Sequence, residues 1–231
     1  MTPDLPAVER TIIELTNEVR RAHALQEVRR SPTLDQAAQS YAQFLARTGT
    51  FSHTADGRRP GERATAAGYD FCIVSENLAS SLDTRGFTDR GLADAAIEGW
   101  KNSPGHRRNM LEPHVTEIGV GVARVAGIHE YLSVQVFGRP AALRLSFSIR
   151  NTTDRSVAYQ LGDQPHDVEP QVDVTHTMCI PEPLVFRDVS AEGSPGGEIA
   201  SQFETRDGDV FVIRTTDRGT PVVSYEPRDR R

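Results

Sequence analysis

Residues 100–121 read WKNSPGHRRNMLEPHVTEIGVG, and this stretch decides the fold. Leu92 and Ala96 precede Trp100 at four-residue steps, which places all three on one stripe of a helix expected over residues 89–102. Ser103 then stands where a helix N-cap belongs and Pro104 at the first helical position, so a new short helix starts there and carries His106 in its first turn. After it, Ile118-Gly119-Val120-Gly121 alternates in period two within a strand expected over residues 117–124. Its two glycines mark a face where a neighbouring backbone approaches closely.

Towards the N-terminus, Val8, Ile12, Leu15, Val19 and Ala22 recur at three- and four-residue steps and predict an amphipathic helix over residues 7–22. A second helix is expected to begin near Thr33, which has the capping-box spacing to Gln36. Leu34, Ala38, Tyr41 and Leu45 form its inner stripe, and Gly49 stops it. Pro60 opens a short helix that Gly68 ends, and a strand follows over residues 71–78. A strand over residues 130–137 joins the 117–124 strand through a turn containing Gly127. This order of elements is α+β and implies an α-β-α sandwich.

From residue 140 the pattern becomes strands alone. Leu143, Leu145, Phe147 and Ile149 alternate, and an Asn151-Thr152-Thr153-Asp154 turn leads to Val157, Tyr159 and Leu161. A hairpin is expected over residues 203–214 around Asp207-Gly208, and a last strand over 222–225. Residues 162–170 and 190–197 read as loops, and 228–231 as a disordered tail. The expected domains are 1–139, the α-β-α sandwich, and 140–231, a small all-β sandwich.

The chain has 231 residues, of which 37% are hydrophobic and 25% charged, with a formal net charge of −6. The charge signs are interspersed, so nucleic acid is not an expected partner. No apolar run approaches the roughly 18 residues of a membrane span. Residues 1–10 lack the charged start and apolar core of a secretory leader, so either the protein is cytoplasmic or a leader has been removed. Cys72 and Cys179 fall in different expected domains, too few and too far apart for a zinc knuckle. They can bridge the domains in an oxidising compartment, or stand as two buried thiols.

His53, in Phe51-Ser52-His53, Glu76, in Ser75-Glu76-Asn77-Leu78, and His106 each lie beside a turn or an element end, where side chains can converge on a cleft. Together with residues 100–121, these motifs resemble a bacterial CAP (SCP) domain over roughly residues 9–138. That family is named for cysteine-rich secretory proteins, antigen 5 and the first group of pathogenesis-related proteins. The resemblance implies a cleft framed by two histidines and two acids. His53 matches the first histidine, and His106, preceded by Gly105, the second. Glu76 matches a family glutamate, with Ser75 where glycine is usual. The fourth position departs from the pattern, because Lys101, Asn102 and Ser103 follow Trp100 where many members place a glutamate; Glu98 and Glu117 are the substitutes considered.

The family's proposed activities run from sterol or lipid binding to proteolysis, so the resemblance implies a groove for a small ligand, lipid or peptide in a secreted, periplasmic or envelope-associated protein. Two neutral imidazoles can hold a divalent ion such as Zn²⁺, which makes His53 and His106 the candidate metal ligands. Glu76 would orient a ring or act as a base. A binding module and a metal-assisted, peptidase-like hydrolase both use these residues.

Ser103, His106 and Glu76 supply the parts of a nucleophilic triad, although no Gly-x-Ser-x-Gly elbow surrounds Ser103 and helix capping explains it. Asn77 reads as structural. His23, His114, His129, His166 and His176 read as surface or loop residues without partners at ligand spacing. Asp163, Asp167, Glu169 and Asp173 form either a Ca²⁺-holding region or a solvated acidic surface. The β part is expected to serve as an accessory module, either binding an envelope or protein partner or supporting the first domain.

Overall fold

Helix α1 (Leu5–Ala22) turns Val8, Ile12 and Leu15 inward, on the stripe that their spacing predicts. It opens a computed structural model of the protein that describes residues 1–187, 189–191 and 201–226. The chain divides into two compact units, Met1–Ala142 and Leu143–Arg231.

In the first unit, strand β1 (Arg29–Arg30) leads into helix α2 (Pro32–Thr48). The helix starts at Pro32, one residue before Thr33, with Ser31 rather than Thr33 at the N-cap. Proline has a helical φ and no N–H to leave unpaired, and the Ser31 carbonyl accepts the Asp35 N–H at 2.9 Å. Gly49 ends the helix in the left-handed conformation, φ 68°. Helix α3 (Pro60–Ala66) follows, with the Glu62 carboxylate accepting the Arg59 N–H at 2.6 Å. Next come strand β2 (Phe71–Leu82), helix α4 (Asp89–Lys101), helix α5 (Pro104–Met110), strand β3 (Glu117–Arg124) and strand β4 (Glu130–Pro140). Ser103 occupies the N-cap position of α5, but its side chain makes no capping hydrogen bond.

The sheet runs β1-β3-β4-β2, antiparallel except where β1 joins β3. Period-two alternation splits its side chains between two helical layers. Ile118, Val120, Val122, Tyr131 and Phe137 pack with Ile12, Leu92, Ala96 and Trp100 of α1 and α4. Leu78, Leu132, Val134 and Val136 pack with Leu34, Ala38, Tyr41 and Leu45 of α2 and Ala64 of α3. The result is the expected α-β-α sandwich. On the α2 side, β3 presents Gly119 and Gly121, and a Cβ there would lie 2.1 Å from the Leu34 carbonyl carbon and 2.3 Å from the Gln39 nitrogen. Helix backbone rests directly on strand backbone.

In the second unit, β5 (Leu145–Asn151), β6 (Val157–Leu161), β7 (Gln164–Val168), β8 (Asp173–Met178), β9 (Pro183–Phe186), β10 (Ser190–Ala191), β11 (Ser201–Glu204), β12 (Val210–Thr215) and β13 (Pro221–Glu226) follow in order. They form two sheets, β10-β13-β12-β5-β8 and β11-β9-β6-β7. Phe147, Ile149, Tyr159, Leu161, Phe186, Phe211 and Ile213 belong to one shared core.

Four expectations are corrected here. Leu143 lies in a 3-10 turn (Ala141–Leu143) with its side chain exposed, so the strand begins at Leu145. Residues 164–168, expected as loop, are strand β7, whose Pro165 is tolerated because β7 is the outermost strand of its sheet. Residues 203–214 are not a hairpin: β11 pairs with β9, whereas β12 pairs with β5 and β13, so the Asp207-Gly208 turn carries the chain from one sheet to the other. Of the expected 190–197 loop, Ser190–Ala191 is strand; residues 192–197 and the 228–231 tail lie outside the described residues.

Gly121→Ala pushes a methyl group into the α2 backbone. It is expected to destabilise the protein by at least about 1–3 kcal/mol, read from the denaturant midpoint at unchanged m-value.

Candidate functional site

Among the described residues β2 pairs with β4 alone, so its other edge is open to side chains. Two of its outward carbonyls are taken by the helices that follow. Trp100 Nε1 donates to Leu78 O at 3.0 Å, and Asn109 Nδ2 donates to Glu76 O at 3.1 Å. Asn109 also donates to Asn77 Oδ1 at 2.8 Å, while Asn77 Nδ2 donates to the His106 carbonyl at 3.1 Å and to Gln135 Oε1 at 2.9 Å. Gln135 passes the chain on to Thr16 Oγ1 at 2.8 Å. At the far end of α5, the Arg20 guanidinium donates to the carbonyls of Met110 and Glu112 at 2.8 and 2.9 Å. Asn77, Gln135, Thr16 and Arg20 are buried, so these bonds are exchanged for no water and hold α5 in one place. His106 is positioned by its neighbours' amides rather than by its own ring.

His53 reaches the same edge from the opposite helical layer. Its Nδ1 lies 2.8 Å from Glu76 Oε1, and because a carboxylate only accepts, Nδ1 carries the proton, which in the neutral ring leaves the lone pair on Nε2. The other carboxylate oxygen, Oε2, accepts from Arg63 at 2.7 Å. The Glu76 side chain is 1% exposed and that of Arg63 7%, so this is a buried ion pair. Arg63 also donates to Asp56 Oδ1 at 2.9 Å, to Arg58 O at 2.8 Å and to His53 O at 3.0 Å. Its guanidinium carbon lies 3.4 Å from the centre of the Tyr41 ring. The Tyr41 hydroxyl in turn donates to Ser52 O and accepts from the Ala55 N–H at 3.0 Å, gripping the loop on both sides of His53.

The structure therefore brings together His53, Glu76 and His106, three residues distant in sequence. The two rings have centroids 6.4 Å apart at an interplanar angle of 54°. Burial, and secondly the charge of His53, push the His106 imidazole below its usual range, which favours the neutral, ligand-competent form. Two imidazoles, one backed by a carboxylate, are a donor set suited to a divalent ion such as Zn²⁺. His53 and His106 would hold it, and the ion would supply Lewis acidity. Among the described residues no third His, Cys, Asp or Glu completes a metal-binding group. Glu98 pairs with Lys101 and Glu117 with Arg29, each at 2.6 Å. Glu76 bonds His53 rather than His106, and among the described residues no hydrogen bond joins Ser103 to His106.

Of the residues in this network, Arg63 was not singled out by sequence reasoning, and Tyr41 was read only as part of the inner stripe of α2. A hollow of about 450 Å³ shares Tyr41, Asp56 and Arg63 with this network but none of His53, Glu76 and His106. Neither Cys72 nor Cys179 is a free thiol; both are disulfide-bonded. His166 and His176, expected without partners, lie in ring contact on β7 and β8.

A model of the cysteine-rich secretory protein (CAP) family matches residues 13–137, more than half the chain, and the protein belongs to that family. It is 28% identical over 123 residues to the uncharacterized protein YkwD of Bacillus subtilis (strain 168), covering 53% of this chain and 45% of that protein. It is 31% identical over 119 residues to the uncharacterized membrane protein YlbC of the same organism, covering 50% of this chain and 32% of that protein. The matched region thus spans less than half the length of either relative. Among solved structures, an outer surface protein of Borrelia burgdorferi has a TM-score of 0.51 at 22% identity, covering 58% of this chain and 92% of its own. An extracellular protein containing a SCP domain from Bacillus anthracis str. Ames has a TM-score of 0.49 at 27% identity, covering 58% and 41%. No helix among the described residues is long and apolar enough to cross a membrane.

Arg63→Ala leaves the Glu76 carboxylate buried without its cation and should cost about 3–5 kcal/mol, whereas His53→Ala at the half-exposed ring should cost about 1 kcal/mol or less; unfolding titrations compare them. His106 should titrate below the usual imidazole range by NMR, and His53→Ala should raise it part of the way, burial being the larger cause. Because the unfolded chain takes up this proton first, the stability contribution is complete above the usual imidazole range. It is lost as pH falls through the lowered His106 value.

Proposed function

We propose that this is a secreted or envelope-associated protein whose CAP domain is a binding module. His53 and His106 capture a divalent ion such as Zn²⁺, or a small, lipid or peptide ligand, at the outer edge of β2, and no catalysis is assigned. The observation that carries this reading is the state of Glu76. Both of its oxygens are committed, one to His53 and one to Arg63, and it is shut away from solvent. A general base must reach the proton that it takes, and Glu76 instead orients an imidazole. The hydrolase reading needs that base.

A location outside the cytoplasm is supported by the oxidised state of both cysteines, since structural disulfides belong to oxidising compartments. It is also supported by the outer-surface and extracellular nature of the similar solved proteins. The β unit is read as the accessory module that meets an envelope component or protein partner.

Titration of the full chain with Zn²⁺ is expected to show a binding event that is about tenfold weaker or more in His53→Ala and in His106→Ala, and the double variant should bind one equivalent fewer than the unaltered chain. Unchanged isotherms in both single variants would remove the metal reading. Hydrolysis of a peptide library that disappears in the double variant would replace the binding module with the hydrolase. Thiol titration of the non-reduced, unfolded chain should find no free cysteine.

A further inference from the structure

Strands β7 and β8 are each the outermost strand of their sheet. Along both strands half-buried or buried positions alternate with exposed ones. The inward positions are His166 and Val168 on β7, and Val174, His176 and Met178 on β8. Apolar side chains fill such positions most economically, yet two of the five here are imidazoles.

The two rings meet. His166 and His176 have centroids 5.3 Å apart at 67°. Tyr159 of β6 stacks on His166 at 5.2 Å and 17°, and its hydroxyl lies 2.7 Å from His176 Nε2. Phe147 of β5 stacks on His176 at 5.3 Å and 27°. Each histidine is thus held by aromatic rings, and the two come from different sheets.

With Zn–N bonds of about 2.0–2.1 Å, an imidazole centroid sits about 3.2 Å from the ion, and two imidazoles on one tetrahedral ion have centroids about 5 Å apart. The observed 5.3 Å fits that spacing and is tighter than the 6.4 Å of the His53–His106 pair. We propose that His166 and His176 form a second, independent site for a divalent transition-metal ion of imidazole preference, such as Zn²⁺, at this margin of the β-sandwich.

The Tyr159 hydroxyl occupies Nε2 of His176 and leaves Nδ1 as the ligand nitrogen, orienting the ring as a supporting group does around a metal. Among the described residues no hydrogen bond reaches the His166 ring, so its nitrogens are open to a ligand.

The test uses the full chain carrying His53→Ala and His106→Ala, so that the His53–His106 pair contributes nothing and the outcome is independent of its role. Titration with Zn²⁺ should show one equivalent bound. His166→Phe and His176→Phe, which keep an aromatic ring in the stack and remove its nitrogens, should each weaken it about tenfold or more; Tyr159→Phe, which removes only the hydroxyl, should weaken it about tenfold. In the same background, the imidazole resonances of His166 and His176 should shift together on adding one equivalent of Zn²⁺, a reading that needs no further substitution. Absence of binding, binding unchanged by both phenylalanine variants, or imidazole resonances that do not move would each overturn the proposal.

Discussion

The arrangement of the first unit rests on one buried carboxylate. Glu76 sits on the open edge strand of the sheet with one oxygen on Arg63 and the other on His53, at 2.7 and 2.8 Å. Taking a carboxylate and a guanidinium out of water is costly, and the cost is offset only where every remaining hydrogen-bonding position is filled. Here Arg63 spends its other donors on Asp56, Arg58 O and His53 O, and lays its face on Tyr41. The same contacts that satisfy the ion pair therefore fix α3, the His53 loop and α2 with respect to β2. Losing Arg63 leaves the Glu76 carboxylate buried without its cation, so the site and the stability of the unit are coupled through this pair.

The second half of the site is built without charge pairing. A sheet edge leaves carbonyls that must find donors, and this protein fills two of them with Trp100 and Asn109 instead of another strand. The solution blocks edge-to-edge association and also sets α5, and with it His106, beside Glu76. Two imidazoles from opposite helical layers thus meet at the β2 border of the sheet. The chemistry of the pair follows from its unequal surroundings: His53 is half-exposed and oriented by a carboxylate, whereas His106 is more buried and kept towards neutrality.

Much of this was legible in the amino-acid order. The helical stripes from Val8 to Ala22 and from Leu34 to Leu45 show a 3.6-residue period, and Gly119 and Gly121 could be read as a contact face because nothing larger fits there. The meeting of His53, Glu76 and His106 came from a family resemblance, since no local spacing links residues so far apart. Arg63 was illegible for a physical reason: an arginine in a short, charged helix looks solvated until its buried partner is known. The β unit was read less well. A period-two run and an Asp-Gly turn describe two adjacent strands but not whether they share a sheet, so β11 and β12 looked like a hairpin. His166 and His176 looked isolated because their pairing depends on two strands, one of them read as loop, lying at the margins of different sheets.

The central claim is that Glu76 acts as an orienting group whose hydrogen bond fixes the His53 tautomer. Nitrogen-15 NMR of the imidazole in its neutral form reads this directly. The account predicts that His53 is protonated at Nδ1 with Nε2 bearing the lone pair, and that Glu76→Gln loosens this preference. Protonation at Nε2, or a mixture of tautomers indifferent to Glu76, would contradict it.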